Sequence, residues 1–131
     1  MAKRLTHAAC FAFFGTKPKN PRWSWSERSE DGQIVAVTLW SDRFLDGGRA
    51  YKNFESDVPG EWKSRPGFVE LIDNLKHAAD NLDGILSVII ATPKDPKARP
   101  RSIAECYPKK EFKMRVTSLE ADDGRFTLER V

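Results

Sequence analysis

The chain has 131 residues, 40% hydrophobic and 31% charged, with 22 Lys+Arg against 19 Asp+Glu for a formal net charge of +3. These values exclude a disordered tail and a membrane-spanning bundle, and they predict a single domain over residues 1–131 with one proper core. So small a charge surplus does not by itself argue for nucleic acid, so the distribution of charge carries more information than its sum. Basic residues gather at Lys17/Lys19/Arg22, Lys94/Lys97/Arg99/Arg101 and Lys109/Lys110/Lys113/Arg115, while acids concentrate in 27–31, 55–61 and 120–123.

In chain order, Ala8 to Phe14 is an apolar, aromatic run stopped by Gly15, and it reads as a first strand buried on both faces. Lys3-Arg4 ahead of it faintly imitates an export signal, but the apolar run is too short, so the protein is expected in the cytoplasm. Residues 16–22 hold two Pro and an Asn and form a loop. Trp23 to Arg28 and Gln33 to Trp40 make a hairpin through Asp31-Gly32. A two-residue loop there pairs Trp23 with Trp40 and Trp25 with Thr38, so all three indoles share one face; a four-residue loop keeps that parity, and a three-residue loop puts Trp40 on the other face. Such a set of indoles serves either as the core of a small domain or as a platform for a flat ring next to a phosphate. Val35, Val37 and Leu39 make the opposite face apolar as well, which places that strand centrally in its sheet.

From Ser41 to Arg65 periodicity disappears, and Asp46-Gly47-Gly48 and Val58-Pro59-Gly60 break the segment. Loops of this length in compact domains are often functional or lid-like, and Phe44, Tyr51, Phe54 and Trp62 imply that this one packs over something. Pro66 to Leu82 is the main helix, because Phe68, Leu71, Ile72, Leu75, Ala79 and Leu82 recur at steps of three and four, with Pro66 in its first turn and Gly84 at its exit. His77, Asp73, Asn74 and Asn81 fall on its polar side. Ile85 to Thr92 is a β-branched buried strand. A proline-rich basic stretch, 93–108, contains a short strand at Ile103 to Tyr107. Glu111 to Leu119 and Arg125 to Val131 then form a second hairpin through Ala121-Asp122-Asp123-Gly124. In the first of these, Phe112, Met114 and Val116 alternate with Lys113, Arg115 and Thr117, a core face against a cationic stripe. The sum is α+β: a strongly bent, mostly antiparallel sheet or small β-barrel with one main helix.

Catalytic motifs are scarce. Cys10 and Cys106 do not make a disulfide framework and read as buried thiols. With His7 only three residues before Cys10 in an extended strand, a Cys–His nucleophile is poorly placed, and no spacing suits zinc. Gly47-Gly48 lacks the strand–loop–helix setting of a phosphate loop, and no motif requires a cofactor. Asp95 followed by Glu111-Phe112-Lys113 resembles the metal-dependent nuclease layout of restriction-endonuclease-like folds, in which carboxylates hold Mg²⁺ and a Lys assists water. A protein-interaction domain acting through 41–65 is a third reading.

The leading expectation is a non-enzymatic nucleic-acid-binding module. Lys17, Lys19, Arg22, Lys94, Lys97, Arg99, Arg101, Lys113 and Arg115 would hold backbone phosphates. The order of elements, an apolar first strand, an aromatic hairpin, a crossing helix, a buried strand, a basic Pro-containing loop and a final hairpin, resembles the PUA-like superfamily, including EVE, ASCH and YTH-type modules. That resemblance implies a bent barrel whose pocket takes a modified or flipped base. On residue type and face, Trp23, Trp25 and Trp40 would be its walls and Asn20, Ser24 and Ser26 its edge readers.

Overall fold

The computed structural model describes residues 6–16, 24–53, 65–97, 103–120 and 122–131. Helix α1 is His7–Phe13 and α2 is Pro66–Asn81; the strands are β1 Ser26–Arg28, β2 Val35–Trp40, β3 Phe44–Leu45, β4 Ala50–Lys52, β5 Ile85–Pro93, β6 Ile103–Glu120 and β7 Arg125–Arg130. Single 3-10 turns at Ser41–Arg43 and Asp46–Gly48 flank β3.

The first element differs from the expected strand. An unbroken apolar run has no period with which to choose between strand and helix, and here local chemistry chooses helix. Thr6 is extended and its hydroxyl accepts from Ala9 N, which caps the N-terminus, while Ala8, Ala9 and Ala12 are strong helix formers. Gly15 ends the helix as its composition implied, with φ of 76° and its N–H on the Ala12 carbonyl. Cys10 and Phe11 are buried, whereas Phe13 points outward.

Among the described residues seven strands form one sheet in the order β1-β2-β5-β6-β7-β4-β3. Every pairing is antiparallel except β2 with β5, which run parallel, so the sheet is mixed rather than assembled from hairpins alone. A parallel pair needs a crossover, and the segment carrying α2 supplies it. The sheet is not closed, so the barrel that the PUA-like resemblance implied has no support in this architecture. The bend, however, is present. Tyr51 on β4 accepts a hydrogen bond from Trp40 N on β2 at 3.2 Å, although β5, β6 and β7 lie between those strands in the sheet.

The concave side holds the larger core, built from Val35, Val37, Leu39, Leu86, Val88, Met114, Leu128 and Tyr51, against Leu71, Ile72, Leu75 and Ala78 of α2. On the other side α1 lays Cys10 and Phe11 on Ala36, Ile89, Ala91 and Cys106. The β1–β2 hairpin has the expected register: Arg28 faces Val35, Ser26 faces Val37, and Thr38 N donates to the Trp25 carbonyl. Its turn is held by Asp31, whose carboxylate accepts from Ser29 Oγ and Gln33 N. The polar side of α2 is not simply solvated, because it grips this hairpin. His77 Nε2 lies 2.8 Å from the Gly32 carbonyl, Asn74 donates to Ser26 Oγ, and Arg28 pairs with Asp73.

Strand β6 merges two expected strands. Ser87 pairs with Lys113 but Ile89 with Pro108, so residues 109–112 all stand opposite Val88, with Glu111 at φ 61°. Proline and a left-handed residue are tolerated there because this stretch bulges out of the ladder.

Two substitutions test this packing by urea unfolding. Leu75→Ala removes a fully buried side chain from α2 and is expected to cost about 2–5 kcal/mol. At Gly84, φ is 76° and an added Cβ would lie 2.9 Å from Arg115 Cγ and 3.3 Å from the Val116 backbone. Gly84→Ala is therefore expected to cost about 1–2 kcal/mol from the backbone conformation alone, and an unchanged midpoint would contradict the left-handed conformation of that turn.

Candidate functional site

A cleft of about 350 Å³ opens on the concave side, between the Ser41–Gly48 segment and strands β5, β6 and β7. Its apolar surface comes from Phe44, Ile90, Tyr107 and Phe112, and two cations, Lys109 and Arg130, stand at the same place. No side chain of α2 lines it, so it occupies the part of the bent sheet that the helix leaves open. The volume falls in the range of small-ligand sites.

Each contributor is placed by the fold rather than by sequence proximity. The bulge at 109–112 brings Lys109 and Phe112 to the same cleft, and the Lys109 ammonium lies 4.7 Å from the Phe112 ring centroid. Arg130, at the end of β7, sets its guanidinium 5.2 Å from that centroid. Phe44 packs edge-on to Tyr51 at 5.1 Å and to Phe112 at 6.2 Å, so the ring at the mouth is anchored to rings of the core. Tyr107 is 48% exposed and offers an open aromatic surface. Gly47 and Gly48 both have positive φ, and a methyl group projecting from either would meet nothing within 4 Å, so backbone rather than side chain borders this side. Among the described residues neither Lys109 nor Arg130 has a carboxylate partner. Aromatic surface beside two such cations suits a flat ring that carries an anion.

Of the residues singled out from sequence, those that are described do not line this cleft. Trp25 and Trp40 do meet, with ring centroids 5.3 Å apart, but both are half-buried, Trp40 against the α1 cluster and Trp25 against the larger core. His7 joins them, 6.2 Å from Trp25 and 4.8 Å from Phe11, with Nε2 2.6 Å from Thr38 Oγ1. Ser24 and Ser26 are buried, and Ser26 accepts from Asn74. Lys113 donates to Ser87 Oγ at 2.7 Å and lies over the Phe14 ring, while Arg115 pairs with Asp83 at 3.2 Å. Lys94 and Lys97 are exposed beyond the end of β5. Trp23, Asn20, Lys17, Lys19, Arg22, Arg99 and Arg101 lie outside the described residues.

Among the described residues no three of His, Cys, Asp or Glu converge as a metal would require, and the Lys113 ammonium donates to Ser87 Oγ. Nor is there an activated thiol. Burial, followed by the hydrogen bond to Cys106, pushes the Cys10 thiol up to about 12. Sequence reasoning passed over Lys109, Phe112 and Arg130 as site residues, although Pro108 inside a strand pattern is a bulge signal.

Burial lowers the His7 pKa below its ordinary 6.5, since the charged imidazole loses solvation between α1 and the indoles. The folded state then binds fewer protons than the unfolded state as the solution is acidified from 6.5, so stability is complete above that pH and is lost as pH falls toward the folded-state value. The melting temperature is expected to fall over this window, and His7→Gln is expected to flatten that part of the profile; an identical profile in the variant would contradict the burial of the ring. Compared with family models, curated proteins and solved structures, the chain matches none.

Proposed function

We propose that this chain is a cytoplasmic nucleic-acid-binding module that acts without catalysis and seats an unpaired or flipped base in the cleft bounded by Phe44, Tyr107 and Phe112. Lys109 and Arg130 then meet the adjoining phosphate. The observation that carries the reading is the coincidence, in one cleft, of an exposed aromatic surface with two cations that have no described carboxylate partner. Base stacking on an aromatic ring contributes about 1–3 kcal/mol per base and tolerates any sequence. Cations at the phosphate contribute the salt-dependent part of affinity.

This reading keeps the ligand class drawn from the sequence and moves its contact residues. Where the indole hairpin was expected to form the wall, Tyr107 and Phe44 take that role, and Lys109 and Arg130 replace the Lys113/Arg115 stripe.

Titration of labelled single-stranded RNA and DNA at about 50 and 200 mM salt tests it. Binding is expected at low salt, weakening as salt rises. Lys109→Ala with Arg130→Ala is expected to reduce the salt slope by roughly two units, and Tyr107→Ala to cost about 1–3 kcal/mol at either salt. No binding at low salt ends the proposal. Binding that all three substitutions leave unchanged moves the site away from this cleft.

A further inference from the structure

Cys10 and Cys106 are 96 residues apart in sequence, yet their sulfur atoms lie 3.6 Å apart, the Cys10 thiol donating to the Cys106 sulfur. Cys10 is on the buried face of α1 and is fully buried; Cys106, on β6 opposite Ala91, is 6% exposed. A disulfide needs its sulfurs at about 2.05 Å, so the pair has to close by about 1.5 Å. Cys106 also precedes Tyr107, which lines the cleft.

We propose that Cys10 and Cys106 form a redox pair that closes, under a peroxide oxidant, into an intramolecular disulfide fastening α1 to β6. Cys106, the more exposed of the two, reacts first. It loses its proton, its sulfur takes one peroxide oxygen, and the O–O bond breaks to leave a sulfenic acid and one water. The Cys10 sulfur then attacks the Cys106 sulfur, the S–O bond breaks, and the hydroxide leaves with the Cys10 proton as a second water. Both sulfurs are oxidised and the peroxide is reduced, so two thiols and one peroxide give one disulfide and two waters. Burial keeps both thiols protonated at neutral pH, so closure quickens as pH rises.

The experiment treats the full chain with hydrogen peroxide at mildly alkaline pH, blocks remaining thiols, and reads intact mass, linked peptides and melting temperature. The expected product is a monomer lighter by two hydrogen atoms, with Cys10 and Cys106 peptides joined and its melting temperature raised by roughly 10 °C until a reductant is added. Cys10→Ala and Cys106→Ala are expected to lose both the link and the reductant-sensitive shift. Because the mass and peptide readouts use the unmodified sequence, an unstable variant does not blur the result. Oxygen adducts without the linked peptide, unreacted thiols where a surface-thiol control is oxidised, or a link that leaves the melting temperature unchanged would overturn the proposal.

Discussion

The hydrogen bond from Trp40 N to the Tyr51 hydroxyl is where the curvature of the molecule becomes visible. It joins β2 to β4 across a sheet in which three other strands separate them, and this requires that the sheet fold toward itself. Strand twist alone rotates neighbours by roughly 20–25°, so several strands in succession bring distant members toward each other. Tyr51 is buried as it makes this bond and stacks on Phe126, so its phenol serves the core and the bend together. Between the neighbouring strands β4 and β7, Asn53 donates to the Gly124 carbonyl and accepts from Phe126 N, both at 2.7 Å. These bonds fix the segment after β2 against the far edge of the sheet.

From that bend the division of the concave side follows. Helix α2 fills one part with Leu71, Ile72, Leu75 and Ala78, while the strands continue past the residues that it covers. Over the remainder lie the two 3-10 turns and β3, which cannot bury as much apolar area as a helix and include two glycines with no side chain to contribute. The cleft is what this unequal covering leaves. Its cations arrive by separate routes, Lys109 through the bulge in β6 and Arg130 from the end of β7, and both settle over Phe112. Cation–π contact of this kind contributes about 0.5–1 kcal/mol at exposed sites, enough to orient the heads while leaving them available to an anion.

The sequence announced the elements whose periodicity was long enough to be unambiguous. Helix α2, β5, β7 and the register of the β1–β2 hairpin all follow from spacing and turn chemistry, and even the packing role of Phe44 and Tyr51 was legible from their presence in an irregular segment. Helix α1 was not, because Ala8 to Phe14 has no polar position to reveal its period; its cap and its alanines decide. The parallel pairing of β2 with β5 was hidden for another reason. It depends on residues 41–52 travelling to the opposite edge, where Ala50 and Tyr51 pair with Glu129 and Leu128, and no local pattern encodes such a partner. The cleft was hidden on the same ground. Trp25 and Trp40 attracted attention by their chemistry, yet their neighbours are His7 and α1, while the cleft is gathered from four separated stretches.

A ligand in the cleft would reach the concave side of the bend rather than the indole side. Amide and indole chemical-shift mapping during addition of a single-stranded oligonucleotide distinguishes the two directly. The account expects shifts at Gly47, Gly48, Lys109, Phe112 and Arg130 with the indole N–H signals of Trp25 and Trp40 unmoved. Shifts confined to those indoles and the β1–β2 hairpin, with the cleft amides silent, would contradict it.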